Sequence, residues 1–204
     1  MCGRPFGRLV FNGPVHVVLV RHGETEWSRD GRHTGRTDIP LTEKGRHDAR
    51  LLAACLVEWT FVKVLTSPLQ RATETCLLAG LSEAAQVRTD LREWDYGAYE
   101  GRTTADIRKE RPGWILWSDG VPGGETGEQI AARADRVIAE LRDTEGDVVV
   151  FGHGHMLRVL TARWIELAPA AGSRFALEPA TISVLGNERE TAVVLRWNQP
   201  CAAS

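Results

Sequence analysis

The sequence of 204 residues lacks several features that define large classes of proteins. It contains no apolar run long enough to cross a membrane. Its 25 lysines and arginines are balanced by 27 aspartates and glutamates, so there is no excess of positive charge for nucleic acid or an anionic membrane. We therefore expect neither nucleic acid nor a membrane as a partner.

The first residues also lack the continuous apolar stretch of a signal peptide. We interpret residues 1–14 as a loose leader, residues 15–198 as one domain and residues 199–204 as a tail. A chain of this length that is 43% hydrophobic can bury one good core. We expect the protein to be cytoplasmic.

Cysteine is scarce, and its four copies show no metal-binding spacing. Cys55 and Cys76 lie in apolar, helix-like segments, whereas Cys2 and Cys201 lie near the two ends. In a cytoplasmic enzyme we expect all four thiols to be reduced, and disulfides are the alternative.

Strand-like and helix-like segments alternate along the chain. Buried strands are predicted at residues 15–20, 61–65 and 147–151, a weaker one at 86–89, and a hairpin or two edge strands at 181–185 and 192–196. Helices are predicted at residues 42–59, 67–78, 127–142 and 155–167. The irregular stretch 91–126 is rich in Trp and Gly and is interpreted as an inserted lid. This order predicts an α/β fold, a three-layer α/β/α sandwich with a mainly parallel sheet and a small lid.

Four polar side chains follow the strands of this predicted sheet. Arg21 and His22 follow the first strand, Arg71 the second, and His153 the strand at 147–151. Ligands of such sheets bind beyond the carboxyl ends of the strands, so these groups should meet at one edge. Guanidinium groups and a helix N-terminus favour a small tetrahedral dianion. The alternatives are a metal site formed by His22 with the HGH sequence at 153–155, or solvated residues with no shared role.

The sequences around these groups resemble a known family. Arg21-His22-Gly23-Glu24-Thr25 is similar to the RHGET signature of the histidine phosphatase superfamily, also called the phosphoglycerate-mutase-like family. Residues 67–72 (SPLQRA), 91–97 (LREWDYG) and 152–154 (GHG) resemble its later motifs in the same order. The resemblance covers residues 15 to about 165.

The resemblance implies a role for each matching residue. His22 would be the nucleophile that becomes phosphohistidine, and Glu93 the general acid and base. Arg21, Arg71 and His153 would bind the phosphoryl oxygens. Further substrate contacts are implied for Ser28, Thr34, Gly35, Tyr96 and Gly154. Ser28 replaces an Asn found in many members, and His155 has no assigned role. The implied partners are a small phosphorylated substrate and a second copy in a homodimer, with no metal and no cofactor.

Within the family, the lid favours a phosphomonoester hydrolase. Mutases carry a Lys at the position of Thr104 and paired arginines further on, whereas residues 112–121 contain no such pair. Residues 91–101 resemble acid phosphatases and sugar-bisphosphatases, and Arg29, Arg32 and Arg36 form either a second phosphate site or a solvated basic loop. The alternatives are a cofactor-dependent phosphoglycerate mutase and a non-catalytic relative that binds phosphorylated ligands.

Overall fold

The computed structural model describes residues 16–201. The expected leader, Cys2 and residues 202–204 of the expected tail lie outside this range. Within it, a single six-stranded sheet carries helices on both faces. No helix among these residues is long and apolar enough to span a bilayer.

The sheet combines four parallel strands with an antiparallel pair. Its strands are β1 (Val17–Arg21), β2 (Phe61–Thr66), β3 (Ala85–Val87), β4 (Asp147–Gly152), β5 (Thr181–Glu188) and β6 (Thr191–Pro200). Their order is β3-β2-β4-β1-β5-β6. β1 pairs with β4 in parallel and with β5 in antiparallel orientation. Because both faces of β1 are covered, its apolar residues are continuous and do not alternate with polar ones.

Residues 16–201 form seven α-helices in addition to the sheet. They are α1 (Glu26–Arg29), α2 (Glu43–Leu56), α3 (Gln70–Leu78), α4 (Thr104–Glu110), α5 (Leu116–Asp119), α6 (Gly127–Arg142) and α7 (Gly154–Trp164). One face of the sheet packs against α2 and α3, through residues such as Leu52 and Cys76. The other face packs against α6 and α7, through residues such as Ile130 and Leu157. The predicted three-layer α/β/α arrangement is thus confirmed.

The boundaries of three helices differ from the prediction. The helix predicted at 42–59 is α2, and it ends at Leu56. We expected Ser67-Pro68 to begin α3, but the helix begins at Gln70 and its N-cap, Leu69, makes no side-chain cap. Ser67 Oγ accepts from the backbone N–H of Leu69 at 3.3 Å, before the helix begins, and also lies 2.7 Å from His153 Nε2, which follows β4. The last predicted helix ends at Trp164 and not at residue 167, because Glu166 has a left-handed backbone with φ of 62°.

The segment predicted to be a lid, residues 91–126, contains α4 and α5 and lies between β3 and α6. Its side chains Trp94, Ile107 and Trp114 are at most 2% exposed and belong to the same core cluster as α6 and α7. The segment is therefore anchored, and it brings Glu93 to the sheet beside the start of α7.

The expectation of reduced thiols is wrong for two cysteines. Cys55 in α2 and Cys201 after β6 form a disulfide, with their Cα atoms 6.1 Å apart. β6 continues to Pro200, beyond residue 198 where we expected the domain to end, and this brings Cys201 back to α2. Cys76 is a free, buried thiol, and burial raises its pKa to about 12.

Candidate active site

The predicted groups meet at one edge of the sheet, beyond the carboxyl ends of three neighbouring strands. Arg21 ends β1, Ser67 follows β2, and His153 follows β4. Backbone bonds from His22 N to Gly152 O and from Ser67 N to Phe151 O, each 3.0 Å, extend the strand pairing to this point. The rings of His22 and His153 consequently lie with their centroids 5.1 Å apart.

His22 is oriented by its own loop. Its Nδ1 donates to the carbonyl of Gly23 at 2.7 Å, which leaves Nε2 as the nitrogen with a free lone pair in the neutral ring. Burial, together with Arg71 and Arg21, holds the pKa of His22 well below its usual value. The imidazole is thus kept neutral, as a nucleophile must be.

The loop that carries His22 packs tightly against the start of α2. Gly23 N donates to Thr75 Oγ1 at 3.0 Å, and a Cβ at Gly23 would lie only 2.5 Å from the carbonyl oxygen of Gly45. A Cβ at Gly45 would in turn lie 2.1 Å from the oxygen of Glu24. Both glycines are required by this close approach of two backbones.

Arg21 offers an unused donor to this edge. One terminal nitrogen, Nη1, donates to the carbonyl of Leu177. Among the described residues, Arg21 Nε is the one buried side-chain nitrogen or oxygen that has no hydrogen-bond partner. Burial lowers the pKa of Arg21, and the Coulombic attraction of Glu93 opposes this shift. A buried, charged N–H group without a partner is expected where an anion binds.

Arg71 is completely buried, and most of its donors are engaged. Its Nη1 and Nη2 donate to the carbonyls of Thr37, Thr34 and Gly35 at 2.9–3.1 Å, and Nε donates to His153 Nδ1 at 3.1 Å. Of the five N–H groups of a guanidinium, one on Nη1 remains. Arg71 therefore contributes mainly a fixed positive charge, together with a single hydrogen bond.

His153 is neutral, and both of its ring nitrogens are engaged. Because Nδ1 accepts from Arg71, the proton lies on Nε2, which is 2.7 Å from Ser67 Oγ. Burial and the nearby Arg71 hold the pKa of His153 well below its usual value. Ser67 is a partner that the sequence analysis did not assign to the site.

Glu93 occupies the N-terminus of α7. Its Oε1 accepts from the backbone N–H groups of Trp94 and Met156 at 2.8 Å, and its Oε2 accepts from that of His155 at 2.9 Å. A Cβ at Gly154 would lie 3.6 Å from Glu93 Oε2 and 3.5 Å from Arg21 Cζ, so this glycine lies between the carboxylate and the guanidinium. Glu93 Oε2 thus has one N–H donor, whereas Oε1 has two.

Besides His153, three more of the predicted substrate contacts have their donors engaged elsewhere. Ser28 Oγ donates to Thr25 O at 3.0 Å and accepts from Thr25 N, as part of a capping box that begins α1. Gly35 N donates to both carboxylate oxygens of Glu100 at 2.9 and 3.0 Å. The hydroxyl of Thr34 donates to Arg32 O at 3.1 Å. These three residues shape the site without offering it a free donor.

Tyr96 and His155 form a pair beside Glu93. The Tyr96 hydroxyl lies 2.7 Å from His155 Nδ1, which is 3.9 Å from Glu93 Oε2. Burial raises the pKa of Tyr96 and lowers that of His155, so both are neutral. Burial lowers the pKa of His33 to about 4, and the centroid of its ring lies 4.8 Å from that of Tyr96. The structure thus places His155, which had no assigned role, in an aromatic wall of the site.

The remaining expectations concern charge and metal. Arg36 pairs with Asp95 at 2.7 Å and Arg29 with Asp30 at 3.1 Å, so two of the three arginines considered for a second phosphate already have carboxylate partners. Within residues 16–201, no group of three or more His, Cys, Asp or Glu side chains is arranged to hold a metal ion.

A mainly parallel α/β sheet with two imidazoles, two arginines and a carboxylate at one edge defines a class of phosphoryl-transfer enzymes. The sequence model of the histidine phosphatase superfamily (branch 1) matches residues 17–200 of this chain. The chain belongs to this family.

Relatives within the family include named phosphatases and probable phosphoglycerate mutases. An acid phosphatase of Mycobacterium tuberculosis is 43% identical over 87% of this chain and 91% of its own length. The sedoheptulose 1,7-bisphosphatase of Saccharomyces cerevisiae is 39% identical over 74% of this chain and 67% of its own. A probable phosphoglycerate mutase of Enterobacter is more distant, at 29% over 90% of each chain.

Solved structures show the same fold. The product of an open reading frame of Mycobacterium tuberculosis superposes with a TM-score of 0.88 at 39% identity, covering 94% of this chain and all of the other. A mycobacterial glucosyl-3-phosphoglycerate phosphatase in complex with VO3 superposes with a TM-score of 0.81 at 29% identity, covering 90% and 98%.

Proposed function

We propose that the protein hydrolyses phosphomonoesters of small molecules, including phosphorylated sugars, through a phosphohistidine on His22. The observation that carries the proposal is the state of His22: a neutral imidazole with Nε2 free, between two buried arginines. The same positive charge that disfavours protonation of the imidazole attracts the phosphoryl oxygens. The named activities of the relatives support this class of substrate.

The first chemical step transfers the phosphoryl group to the enzyme. His22 Nε2 forms a bond to phosphorus while the bond from phosphorus to the leaving oxygen breaks. Glu93, protonated at Oε2, gives its proton to that oxygen, so the leaving group departs as an alcohol. Arg21 Nε and the remaining N–H of Arg71 donate to the phosphoryl oxygens as charge develops on them.

The second step returns the enzyme to its starting state. Glu93, now a carboxylate, accepts a proton from water while the water oxygen bonds to phosphorus and the bond to Nε2 breaks. Inorganic phosphate leaves, and Glu93 is protonated again. Each turnover consumes one ester and one water and yields one alcohol and one phosphate.

Replacement of the nucleophile tests this function. For His22→Ala we expect kcat to fall at least about a thousandfold, because the covalent route is removed. Brief exposure of the wild-type protein to labelled substrate should leave an acid-labile, base-stable phosphoenzyme, and the alanine variant should retain none. Label on the variant would contradict the assignment of His22, and no phosphate release by the wild-type protein would favour a non-catalytic binder.

A mutase is the second candidate, because some relatives are named probable phosphoglycerate mutases. The lid argues against it: Thr104 contacts His33 Nε2 at 3.3 Å, while the nearby basic residues Arg102 and Lys109 pair with Glu110 and Asp106. With 3-phosphoglycerate and a catalytic amount of 2,3-bisphosphoglycerate, we expect phosphate release to exceed formation of 2-phosphoglycerate. Efficient interconversion with little free phosphate would overturn the phosphatase proposal.

A further inference from the structure

Arg133 is an arginine beside the general acid that the proposed mechanism does not use. It projects from α6 with a side chain that is 15% exposed, next to Glu125, whose side chain is 14% exposed. Nε and Nη2 of Arg133 each donate to one carboxylate oxygen of Glu125 at 2.7 Å. This bidentate geometry uses the planar fork of a guanidinium, which a lysine cannot reproduce. The two side chains therefore form a rigid, largely buried unit.

The other N–H groups of Arg133 donate to the backbone of the segment that carries Glu93. Nη1 donates to the carbonyls of Asp90 and Arg92, and Nη2 donates to that of Glu93 at 3.4 Å. With the two bonds to the carboxylate, all five N–H groups of the guanidinium are engaged. Glu93 itself follows a short 3-10 turn, Thr89–Leu91, and belongs to no helix or strand. Arg133 therefore supplies to this backbone the hydrogen bonds that strand pairing supplies elsewhere at this edge.

Glu125 holds the chain on the other side of Glu93. Its backbone N–H donates to the carbonyl of Asp95 at 2.9 Å, and its Oε2 accepts from the N–H of Asp95 at 3.3 Å. Its carbonyl accepts from the indole N–H of Trp94 at 2.8 Å. The pair of Arg133 and Glu125 thus contacts the chain both before and after Glu93, which leaves that backbone little freedom.

Arg133 also contacts the helix that receives the Glu93 carboxylate. Oε1 of Glu93 accepts from the N–H of Met156, in the first turn of α7, at 2.8 Å. Nη1 of Arg133 lies 3.6 Å from Met156 Sδ. The charge of Arg133 also reaches the edge of the sheet, because it adds to burial in lowering the pKa of His153. Arg133 therefore links the chain that carries the acid to the helix on which the acid rests.

A second arginine on α6 contacts the same segment through a different kind of bond. Arg136, about one turn later, donates to both carboxylate oxygens of Asp90 at 2.8 and 2.9 Å, but its side chain is 60% exposed. It binds an acidic side chain, whereas Arg133 binds three backbone carbonyls. Exposed ion pairs of this kind contribute little to stability. Arg136 is therefore a matched control for Arg133.

We propose that Arg133 is a positioning residue for the general acid. Together with Glu125 it fixes the backbone of residues 90–95, so that the carboxylate of Glu93 lies where the leaving oxygen departs. The proposal rests on the role of Glu93 in the proposed phosphatase reaction. The hydrogen bonds of Arg133 go to this segment and to Glu125, so its loss should impair proton transfer and not phosphate binding. A misplacement of about 1 Å at a reacting group can lower a rate about a hundredfold.

Two esters that differ only in a nitro group test the proposal. Phenolate is a poorer leaving group than p-nitrophenolate, so hydrolysis of phenyl phosphate depends more on a proton from Glu93 than hydrolysis of p-nitrophenyl phosphate does. We expect Arg133→Gln to lower kcat/KM about 10- to 100-fold for phenyl phosphate and less than about fivefold for p-nitrophenyl phosphate. The ratio of the two values does not depend on the folded fraction of the sample, so a loss of stability in the variant does not change it.

Three further variants separate positioning from a general structural role. Arg133→Lys keeps a positive charge beside Glu125 but has only three donors, so the ratio of phenyl phosphate to p-nitrophenyl phosphate should fall less than in Arg133→Gln. Arg136→Gln should leave the ratio unchanged. In the Glu93→Gln background, Arg133→Gln should lower the ratio no further, because the group that Arg133 positions is already absent.

Two results would overturn the proposal. One is an equal loss on both esters in Arg133→Gln and Arg133→Lys. The other is a further fall in the ratio when Arg133→Gln is added to Glu93→Gln. If Glu93→Gln alone leaves the ratio unchanged, the proposed role of Glu93 has failed and this proposal with it. If the wild-type protein hydrolyses neither ester, the proposed function itself has failed.

Discussion

The protonation states of the individual side chains decide what this site can do. Gly23 O fixes the tautomer of His22, and Arg71 fixes that of His153, so neither imidazole needs to exchange a proton before reaction. Glu93 is held by three backbone N–H groups of two different segments, which fixes its position without a charged partner within hydrogen-bond distance. In the proposed mechanism, the nucleophile and the acid are therefore separate groups.

Glu93 should matter in proportion to how poor the leaving group is. A sugar alkoxide needs a proton to depart, whereas p-nitrophenolate does not. We expect Glu93→Gln to lower kcat on a sugar phosphate about a hundredfold or more, and on p-nitrophenyl phosphate less than about tenfold, as measured by phosphate release. Glu83→Gln, an exposed carboxylate before β3, is the control. Equal losses on both substrates would mean that Glu93 acts only by holding α7 in place.

At the scale of elements, a short loop, residues 34–37, links the lid to Arg71 at the edge of the sheet. Arg71 donates to three carbonyls of this loop, those of Thr34, Gly35 and Thr37. On its other side, the loop donates to the carboxylate of Glu100 at 2.9–3.0 Å, through the N–H groups of Gly35 and Thr37. A Cβ at Gly35 would lie 2.5 Å from Trp94 O, so the loop fits only with glycine there. Glu100 thus acts on Arg71 through the backbone.

Glu100 is therefore expected to be a positioning residue. In Glu100→Ala the loop loses the carboxylate that holds it, so the carbonyls that orient Arg71 become mobile. Loss of one or two of the hydrogen bonds from Arg71 to these carbonyls costs about 1–2 kcal/mol in total. We therefore expect inhibition by vanadate to be about 5- to 30-fold weaker. Glu100→Gln keeps one acceptor oxygen and should recover part of the affinity. Glu110→Gln, which removes an exposed lid ion pair with Arg102, is the matched control. Unchanged vanadate inhibition in Glu100→Ala would contradict this role.

Elements set by local sequence were predictable, and those set by distant contacts were not. Thr126 and Gln129 lie three residues apart and cap α6 by themselves, so its bounds follow from the sequence. Ser67 was expected to cap α3, but its hydroxyl also binds His153, 86 residues away, and the helix begins three residues later. Local pattern contains no information about such a partner.

The same distinction applies to the site. His22, Arg71 and His153 were found together because strand ends meet at one edge of a parallel sheet, which is a rule of topology. Ser28 and Gly35 were expected to hold phosphate, but their donors serve Thr25 and Glu100.

At the scale of the whole molecule, the disulfide closes nearly the entire sheet. Cys55 and Cys201 are separated by 146 residues, a span that includes β2, β4, β5 and β6. It joins the end of α2 to the chain just after the edge strand β6. No short spacing of cysteines could have indicated this pair.

Because the enclosed loop is long, the disulfide should stabilise the fold by restricting the unfolded chain. We expect Cys201→Ser to lower the free energy of unfolding by about 2–4 kcal/mol, measured by urea denaturation, with little change in kcat since neither cysteine touches the site. Reductant should lower the free energy of unfolding of the wild-type protein by a similar amount. The Cys201→Ser variant is the control, because reductant should leave its free energy of unfolding unchanged. Two results together would show that the disulfide does not form in solution. Reductant would leave the free energy of unfolding of the wild-type protein unchanged. Cys55 and Cys201 would also both react with a thiol reagent when the protein is unfolded in the absence of reductant.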